Sequence, residues 1–185
     1  MSMQRELVEQ AIEGDHDAFS ELVRLSSRKL FAVATLILRD KTRAEDATQE
    51  ALVAAWRDLS GLRDPDRFDA WLHRVLVREC YREAKRERRR IEVEGQVRPV
   101  TDSADPSHLN ADRDELERGF ARLPVDQRTV LVLHHYVGYS FPEIAETLGI
   151  PVGTAKSRVN RAVNAMRAAL TADARTTTTP GGTSA

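Results

Sequence analysis

The chain has 185 residues, with 28 lysines and arginines against 29 aspartates and glutamates and a net charge of −1, so bulk charge neither announces nor excludes a nucleic-acid partner. Charged residues make up 31% of it and no apolar run approaches the ~18 residues a membrane span needs, so membrane insertion is not expected. Glu6 and Glu9 stand where a signal peptide would place its basic and apolar regions, and the one cysteine, Cys80, excludes an internal disulfide, so the expected location is the reducing cytoplasm.

Helical periodicity recurs throughout and no alternating strand pattern interrupts it, so the predicted fold class is all-α. Leu7, Val8, Ala11 and Ile12 mark a short first helix that ends at Gly14. Asp15 or Asp17 can cap a second helix carrying Phe19, Leu22, Val23, Leu30, Phe31 and Ala34. A third runs from about Thr42 to Asp58, with Ala44, Ala47, Ala51 and Ala55 along one side. Ser60, Gly61, Asp64 and Pro65 make Leu59 to Pro65 a loop. A fourth helix starts near Arg67 and can run to Arg90, with Leu72, Val75, Leu76 and Cys80 inward.

Periodicity then stops. Residues 91–111 hold Gly95, Pro99, Asp102, Ser103, Pro106 and Ser107 and little that could form a core, which predicts a flexible acidic linker. Helices resume near Asp112. The tail from Asp173 is low in complexity and is predicted to be disordered. The expected organisation is therefore a helical domain over 1–90, a linker over 91–111, a second helical domain over 112–172 and a tail over 173–185.

The second domain carries the sharpest signal. Ser140 and Glu143 fit a capping box, with Phe141 and Pro142 as the first helical positions. Ile144, Ala145 and Leu148 give a short helix its inner face, and Gly149 ends it in a left-handed turn. In the next helix Val152, Ala155, Val159, Ala162 or Val163, Met166 and Leu170 recur at steps of three and four and define one buried stripe. The opposite face shows Thr154, Lys156, Ser157, Arg158, Asn160, Arg161 and Asn164, with no acidic residue among them. Arginine can pair with guanine edges, asparagine with adenine, and lysine or serine with phosphate. A capped short helix, a glycine turn and an amphipathic second helix are the parts of a helix-turn-helix. The helix from Val125 to Tyr136, with Val130, Leu131 and Leu133, would brace the pair.

Two features of the first domain point outward. Asp46 and Glu50 are a like-charge pair at i and i+4, which costs a few tenths of a kcal/mol in an isolated helix. With Gln49 and Val53 they form either a solvated face or a docking surface for a basic partner. On the fourth helix Arg74, Arg78, Arg82, Lys85 and Arg89 form a cationic stripe, with Phe68 and Trp71 at its entrance beside the polar loop. Such a stripe with aromatics suits the holding of unstacked single-stranded DNA, although Trp71 could equally be plain core.

At these motifs the sequence resembles the bacterial RNA polymerase sigma factors of the extracytoplasmic-function group, in the sigma-70 family. Ala44-Glu-Asp-Ala-Thr-Gln-Glu-Ala-Leu resembles the family's polymerase-binding helix, and Phe68-Asp-Ala-Trp-Leu-His-Arg-Val-Leu-Val-Arg-Glu-Cys-Tyr its promoter-melting helix. Leu123-Pro-Val-Asp-Gln-Arg-Thr-Val-Leu, Gly138-Tyr-Ser-Phe-Pro-Glu-Ile-Ala-Glu and Gly153-Thr-Ala-Lys-Ser-Arg resemble its −35-reading domain. The resemblance implies a four-helix sigma-2-like domain followed by a helix-turn-helix sigma-4-like domain. It implies that Asp46, Gln49, Glu50 and Val53 bind core RNA polymerase at the β′ clamp helices, with the β flap as a second polymerase contact. It implies that the loop Leu59 to Arg67 receives a flipped base of the −10 element, while Arg67, Phe68, Trp71, Arg74, Arg78 and Arg82 hold the DNA there. Thr154, Lys156, Ser157, Arg158, Asn160 and Arg161 would read or grip the −35 element. An anti-sigma factor is implied as a further partner. Arg78 stands where many relatives carry asparagine; arginine adds a phosphate-directed charge but accepts no hydrogen bond.

The competing reading is a stand-alone helix-turn-helix regulator with a sensor or dimerisation domain. The first domain speaks against it, because it offers an acidic face and a cationic helix rather than a ligand pocket. Enzyme chemistry is not expected: His134 and His135 are adjacent without a second pair at metal-ligand spacing, and no nucleophile elbow or phosphate loop appears. No catalytic residue, metal, cofactor or small-molecule substrate is therefore assigned.

Overall fold

The computed structural model describes residues 3–94 and 111–177. The described chain runs α1 (Met3–Ile12), α2 (His16–Leu38), α3 (Lys41–Asp58), two short 3-10 turns, α4 (Phe68–Glu94), α5 (Ala111–Ala121), α6 (Val125–Leu131), a π-helical turn, α7 (Phe141–Leu148) and α8 (Val152–Thr177), with no strand among the described residues.

Local chemistry sets the ends of the first helices. The Asp15 carboxylate accepts from the backbone N–H groups of Asp17 at 2.8 Å and Ala18 at 3.0 Å, which satisfies two orphan donors of α2. That helix ends at Arg39, left-handed with φ 54°. Asp40 then caps α3 by accepting from the Arg43 N–H at 2.9 Å. Along α3, Ala44, Ala47, Ala51, Ala54 and Ala55 are buried, and with no longer side chains in the way the helix packs against both α2 and α4. Leu22, Leu30, Val33, Ile37, Phe68, Leu72 and Leu76 fill the space between these helices. Trp56 near the end of α3 stacks at tilted angles on His16 and Phe19, with ring centroids 4.6 and 4.8 Å away, and so pins the start of α2. Arg5 of α1 pairs with Asp66, and Gln4 donates to Asp69 at 2.9 Å, tying the first helix to the beginning of α4.

Several expectations change. The segment read as a loop is built of the 3-10 turns Leu59–Gly61 and Pro65–Arg67, and Leu59 is buried. Phe31 is exposed rather than core, and so is Val152, which lies in the first turn of α8. The bracing helix is divided: α6 ends at Leu131 and a π-helical turn, Val132–Val137, follows. It closes at Gly138, whose φ of 89° suits glycine. α4 continues past Arg90 to Glu94, and α8 continues past 172 to Thr177. The flexible linker and disordered tail predicted between and beyond these helices lie, over 95–110 and 178–185, outside the described residues.

In the second unit α8 packs against α5, α6 and α7, with Val130, Leu133, Ile144, Ala155, Val159 and Ala162 buried between them. The two units also touch. α4 packs on α6 and α7, and α2 on α6 and the π turn, so the two cores join in one apolar cluster.

Candidate nucleic-acid interface

The helix-turn-helix is assembled as its sequence requires. The backbone N–H and hydroxyl of Ser140 both donate to the Glu143 carboxylate, at 2.7 and 2.6 Å, and hold that carboxyl below its ordinary range. Gly149 ends α7 at φ 64°. α8 then buries Ala155, Val159 and Ala162 and turns the opposite face outward. Lys156, Asn160 and Arg161 are exposed there, and Thr154, Ser157 and Arg158 are half-buried beside them. The Ser157 hydroxyl donates to the Thr154 carbonyl at 3.0 Å, and Arg161 donates to the Ser157 hydroxyl oxygen at 3.2 Å. The six predicted side chains thus share one helix face, and two of them are already aligned by a local network.

On α3, Asp46, Gln49, Glu50 and Val53 lie together on the exposed face opposite the alanine stripe. Val53 is 55% exposed among acidic and amide neighbours, a small apolar centre with a polar rim.

α4 differs most from expectation. Arg67, Arg74, Arg78 and Arg82 are exposed, but each has an acceptor within the protein. Arg82 donates to both Glu79 oxygens at 2.7 and 2.9 Å, and Arg78 donates to Glu79 at 3.3 Å and lies 3.7 Å from Asp58. Glu79 is itself buried at 5% exposure, a positioning carboxylate that the sequence reading missed. Its i, i+3 spacing to Arg82 was the available signal. Phe68 is 2% exposed, so its ring belongs to the core and is corrected from a DNA contact. Trp71 is half-buried, its ring 6.0 Å from that of Phe68.

Arg67 and Arg74 reach the other unit. Arg67 Nη2 lies 2.8 Å from the Glu146 carboxylate, and Arg74 Nη2 donates to the Glu146 carbonyl at 2.9 Å. A groove of about 510 Å³ separates the cations Arg74, Arg78, Arg82 and Lys85 from the end of α7, residues 146–149. Further along the junction the Tyr139 hydroxyl meets His73 Nδ1 at 2.7 Å. Burial, helped by the nearby Lys29 charge, lowers the His73 pKa to about 4, and burial pushes the Tyr139 phenol up to about 12. Arg128 Nε donates to the Ile37 carbonyl at 2.8 Å, and its Nη1 donates to Leu123 at 3.0 Å and Ala121 at 3.3 Å. Burial lowers its pKa to about 10, still cationic at neutral pH.

Among the described residues no group of three or more His, Cys, Asp or Glu side chains could hold a metal ion. His134 instead stacks on Phe141 with centroids 4.9 Å apart and bonds the Tyr139 carbonyl through Nδ1. Burial pushes the Cys80 thiol up to about 12, which leaves it a poor nucleophile. No helix of the described residues is long and apolar enough to cross a membrane.

A helix-turn-helix joined to a second all-helical unit with an outward acidic face defines a DNA-binding transcription protein. Residues 22–90 match the family described as Sigma-70 region 2, and residues 113–166 match Sigma-70, region 4. The chain is 33% identical over 157 residues to the ECF RNA polymerase sigma factor SigM of Mycobacterium tuberculosis, covering 85% of this chain and 79% of that protein. It is 30% identical to the RNA polymerase sigma-H factor of Pseudomonas aeruginosa, covering 90% and 93%. Among solved structures it is similar to CnrH in complex with the cytosolic domain of CnrY, with TM-score 0.66, 31% identity and coverage of 93% of this chain and 99% of that one. It is also similar to the sigma factor RpoE of Bartonella quintana in complex with the anti-sigma factor NepR, with TM-score 0.71, 27% identity and coverage of 84% and 98%. The chain belongs to the extracytoplasmic-function RNA polymerase sigma factors of the sigma-70 family, and its function is to direct RNA polymerase to promoters.

Proposed function

We propose that this sigma factor divides its work among three surfaces. The face of Asp46, Gln49, Glu50 and Val53 on α3 docks on core RNA polymerase at the β′ clamp helices, where acidic side chains around a small apolar centre suit a basic helical partner. Trp71, Arg67, Arg74, Arg78 and Arg82 hold the −10 region as it melts: the cations neutralise phosphates and the half-exposed indole offers a stacking plane. Thr154, Lys156, Ser157, Arg158, Asn160 and Arg161 lie in the major groove of the −35 element. The second unit also meets the β flap. The protein works in the cytoplasm without catalysis of its own, and an anti-sigma factor controls it, as the complexed forms of its structural relatives suggest.

One observation carries the reading: α8 buries Ala155, Val159 and Ala162 and, over 154–164, presents hydroxyl, amide and cationic groups with no acidic side chain on the other side. An ordinary surface helix would mix charges of both signs. The test is to mix the purified full chain with core polymerase and score binding together with run-off transcription from genomic fragments. Co-purification and discrete new transcripts with a shared upstream sequence are expected. DNA retained by the chain alone, with no binding to core, would instead mark a stand-alone regulator.

A further inference from the structure

A carboxylate buried on a helix needs partners, because an ion taken out of water is costly unless it is paired. Glu79 is such a group. Its side chain is 6% exposed on α4. It accepts from Nη1 of Arg82 through both oxygens, at 2.7 and 2.9 Å, and from Nε of Arg78 at 3.3 Å. The side chains of Arg82 and Arg78 are themselves 55% and 48% exposed. One buried anion therefore fixes two surface cations. Its bonds occupy Nη1 of one fork and Nε of the other, so most N–H donors of each guanidinium stay available to an outside anion. Asp58 at the end of α3, 3.7 Å from Nη2 of Arg78, steadies that fork from a second side. The pattern recurs along α4. Glu83 pairs with Arg86, and Glu87 with Arg90 at 2.6 Å, each cation again three residues on. These carboxylates are 12% and 13% exposed against 66% and 46% for their arginines. Steps of four put Glu79, Glu83 and Glu87 on one ridge of the helix, and Glu79 is the deepest of the three.

We propose that Glu79 is a positioning residue for strand opening. It holds the guanidinium groups of Arg78 and Arg82 where the phosphates of the melting −10 strand arrive, and its charge keeps them from gripping duplex DNA too tightly beforehand. This deepens the proposed function and rests on its assignment of Arg78 and Arg82 to the −10 region. A loose arginine samples many rotamers, which it must give up when it binds a phosphate. Where the fork is already fixed, that loss is made in folding rather than in the opening step, and opening gains speed. The same carboxylate cancels part of the positive charge of α4. Sequence-independent attraction to DNA grows with the number of cations that displace counterions. Removing the carboxylate must therefore strengthen binding of the closed duplex and slow its opening.

The test uses holoenzyme made from the full chain and core polymerase. Its probe is a promoter fragment recovered by run-off transcription, carrying a fluorescent base in the −10 region. Glu79→Gln removes the charge and keeps the size, and Glu79→Leu fills the same space without a polar group. Both should bind core as the unsubstituted chain does. Both should bind the fragment with a steeper salt dependence, by up to about one unit of log–log slope, and open it more slowly, on the order of fivefold. Arg82→Lys leaves Glu79 in place, keeps the charge and loses the fork, so its salt slope should hold while opening slows. Opening at the unsubstituted rate in Glu79→Leu would reduce the carboxylate to a packing element and overturn the proposal. Tighter binding together with faster opening would make it a charge mask alone, which overturns it too. Unimpaired opening in Arg82→Lys would do the same, because the fork would then not matter. Arg78→Ala with Arg82→Ala separates the anchor from the reading beneath it. If that pair opened the fragment at the unsubstituted rate, the −10 assignment itself would fail. Silent Glu79 variants beside an impaired arginine pair would remove the anchor and leave that assignment standing.

Discussion

Nδ1 of His73 lies 2.7 Å from the hydroxyl of Tyr139, across the junction of the two helical units, with the rings edge to face at 85°. The other ring nitrogen, Nε2, is buried without a hydrogen-bond partner. Protonation would place a charge in this site beside Lys29 of α2, with Asp69 one turn back on α4 as the compensating anion. Burial therefore holds the pKa near 4, against 6.5 for a free imidazole. The sign follows: the packed state binds no proton where the parted or unfolded state does, so its stability is complete above about pH 6.5. It falls as pH drops from there toward 4. Thermal unfolding at pH 7.5, 6 and 5 should show a falling midpoint. His73→Gln, which cannot titrate, should flatten the decline over that window. An equal decline in both proteins would dismiss His73 as its source.

Arg128 is the second fastening, and it serves three carbonyls in three places: Ile37 at the end of α2, Ala121 at the end of α5, and Leu123 in the turn that follows. Truncation leaves those acceptors short of a donor in a partly buried site. Arg128→Ala should lower stability by about 2–4 kcal/mol in urea unfolding. Arg128→Lys should recover less than half of that, because an ammonium cannot reproduce the fork of a guanidinium. Full recovery by lysine would mean that charge alone matters.

Much of each unit was legible in the sequence, and the junction between them was not. The alanine stripe of α3, the Ser140–Glu143 box and the left-handed Gly149 announce themselves through spacing, because each is settled within a few residues. His73 and Tyr139 are 66 positions apart, and Arg128 and Ile37 are 91 apart. No periodicity links residues at such separations. Phe68 and Trp71 read as a pair of aromatics beside a loop, yet the chain turns so that one fills the core and the other lies half-open. Val152 fits the stripe of α8 by spacing alone, but it sits in the first turn and stays exposed. The cationic stripe of α4 was visible as charge. That its arginines already have acceptors in Glu79, Asp58 and Glu146 depended on depth and on a second unit.

Ala51 offers a test of the packing that carries the proposed docking face. It is fully buried on the side of α3 opposite Glu50. A larger side chain must push α3 away from its neighbours. Ala51→Leu should cost about 1–3 kcal/mol by chemical denaturation, and Ala51→Ser, close in volume, distinctly less. If leucine were accommodated at no cost, the close approach of α3 would not be a requirement of the fold.

The two outward faces should separate by mutation. Arg158→Ala with Arg161→Ala removes two cations from the proposed recognition face, where each good base-directed pair is worth about 1–3 kcal/mol of discrimination. Promoter-specific transcription should fall by at least tenfold while binding to core polymerase is unchanged. Loss of the Arg161 guanidinium also releases Ser157, whose hydroxyl it holds at 3.2 Å, so sequence preference should blur as well as weaken. Asp46→Arg with Glu50→Arg should do the reverse, because four units of charge change on an exposed face of a different helix, α3. Core binding should collapse, while the chain's affinity for duplex −35 DNA holds or rises slightly with the added positive charge. Run side by side, a pull-down on core and a gel-shift on promoter duplex decide the matter. If both double variants failed in both assays, the damage would be to the fold and the assignment of separate faces would be wrong. If the arginine pair left promoter-specific transcription untouched, α8 would not be the reader of the −35 element.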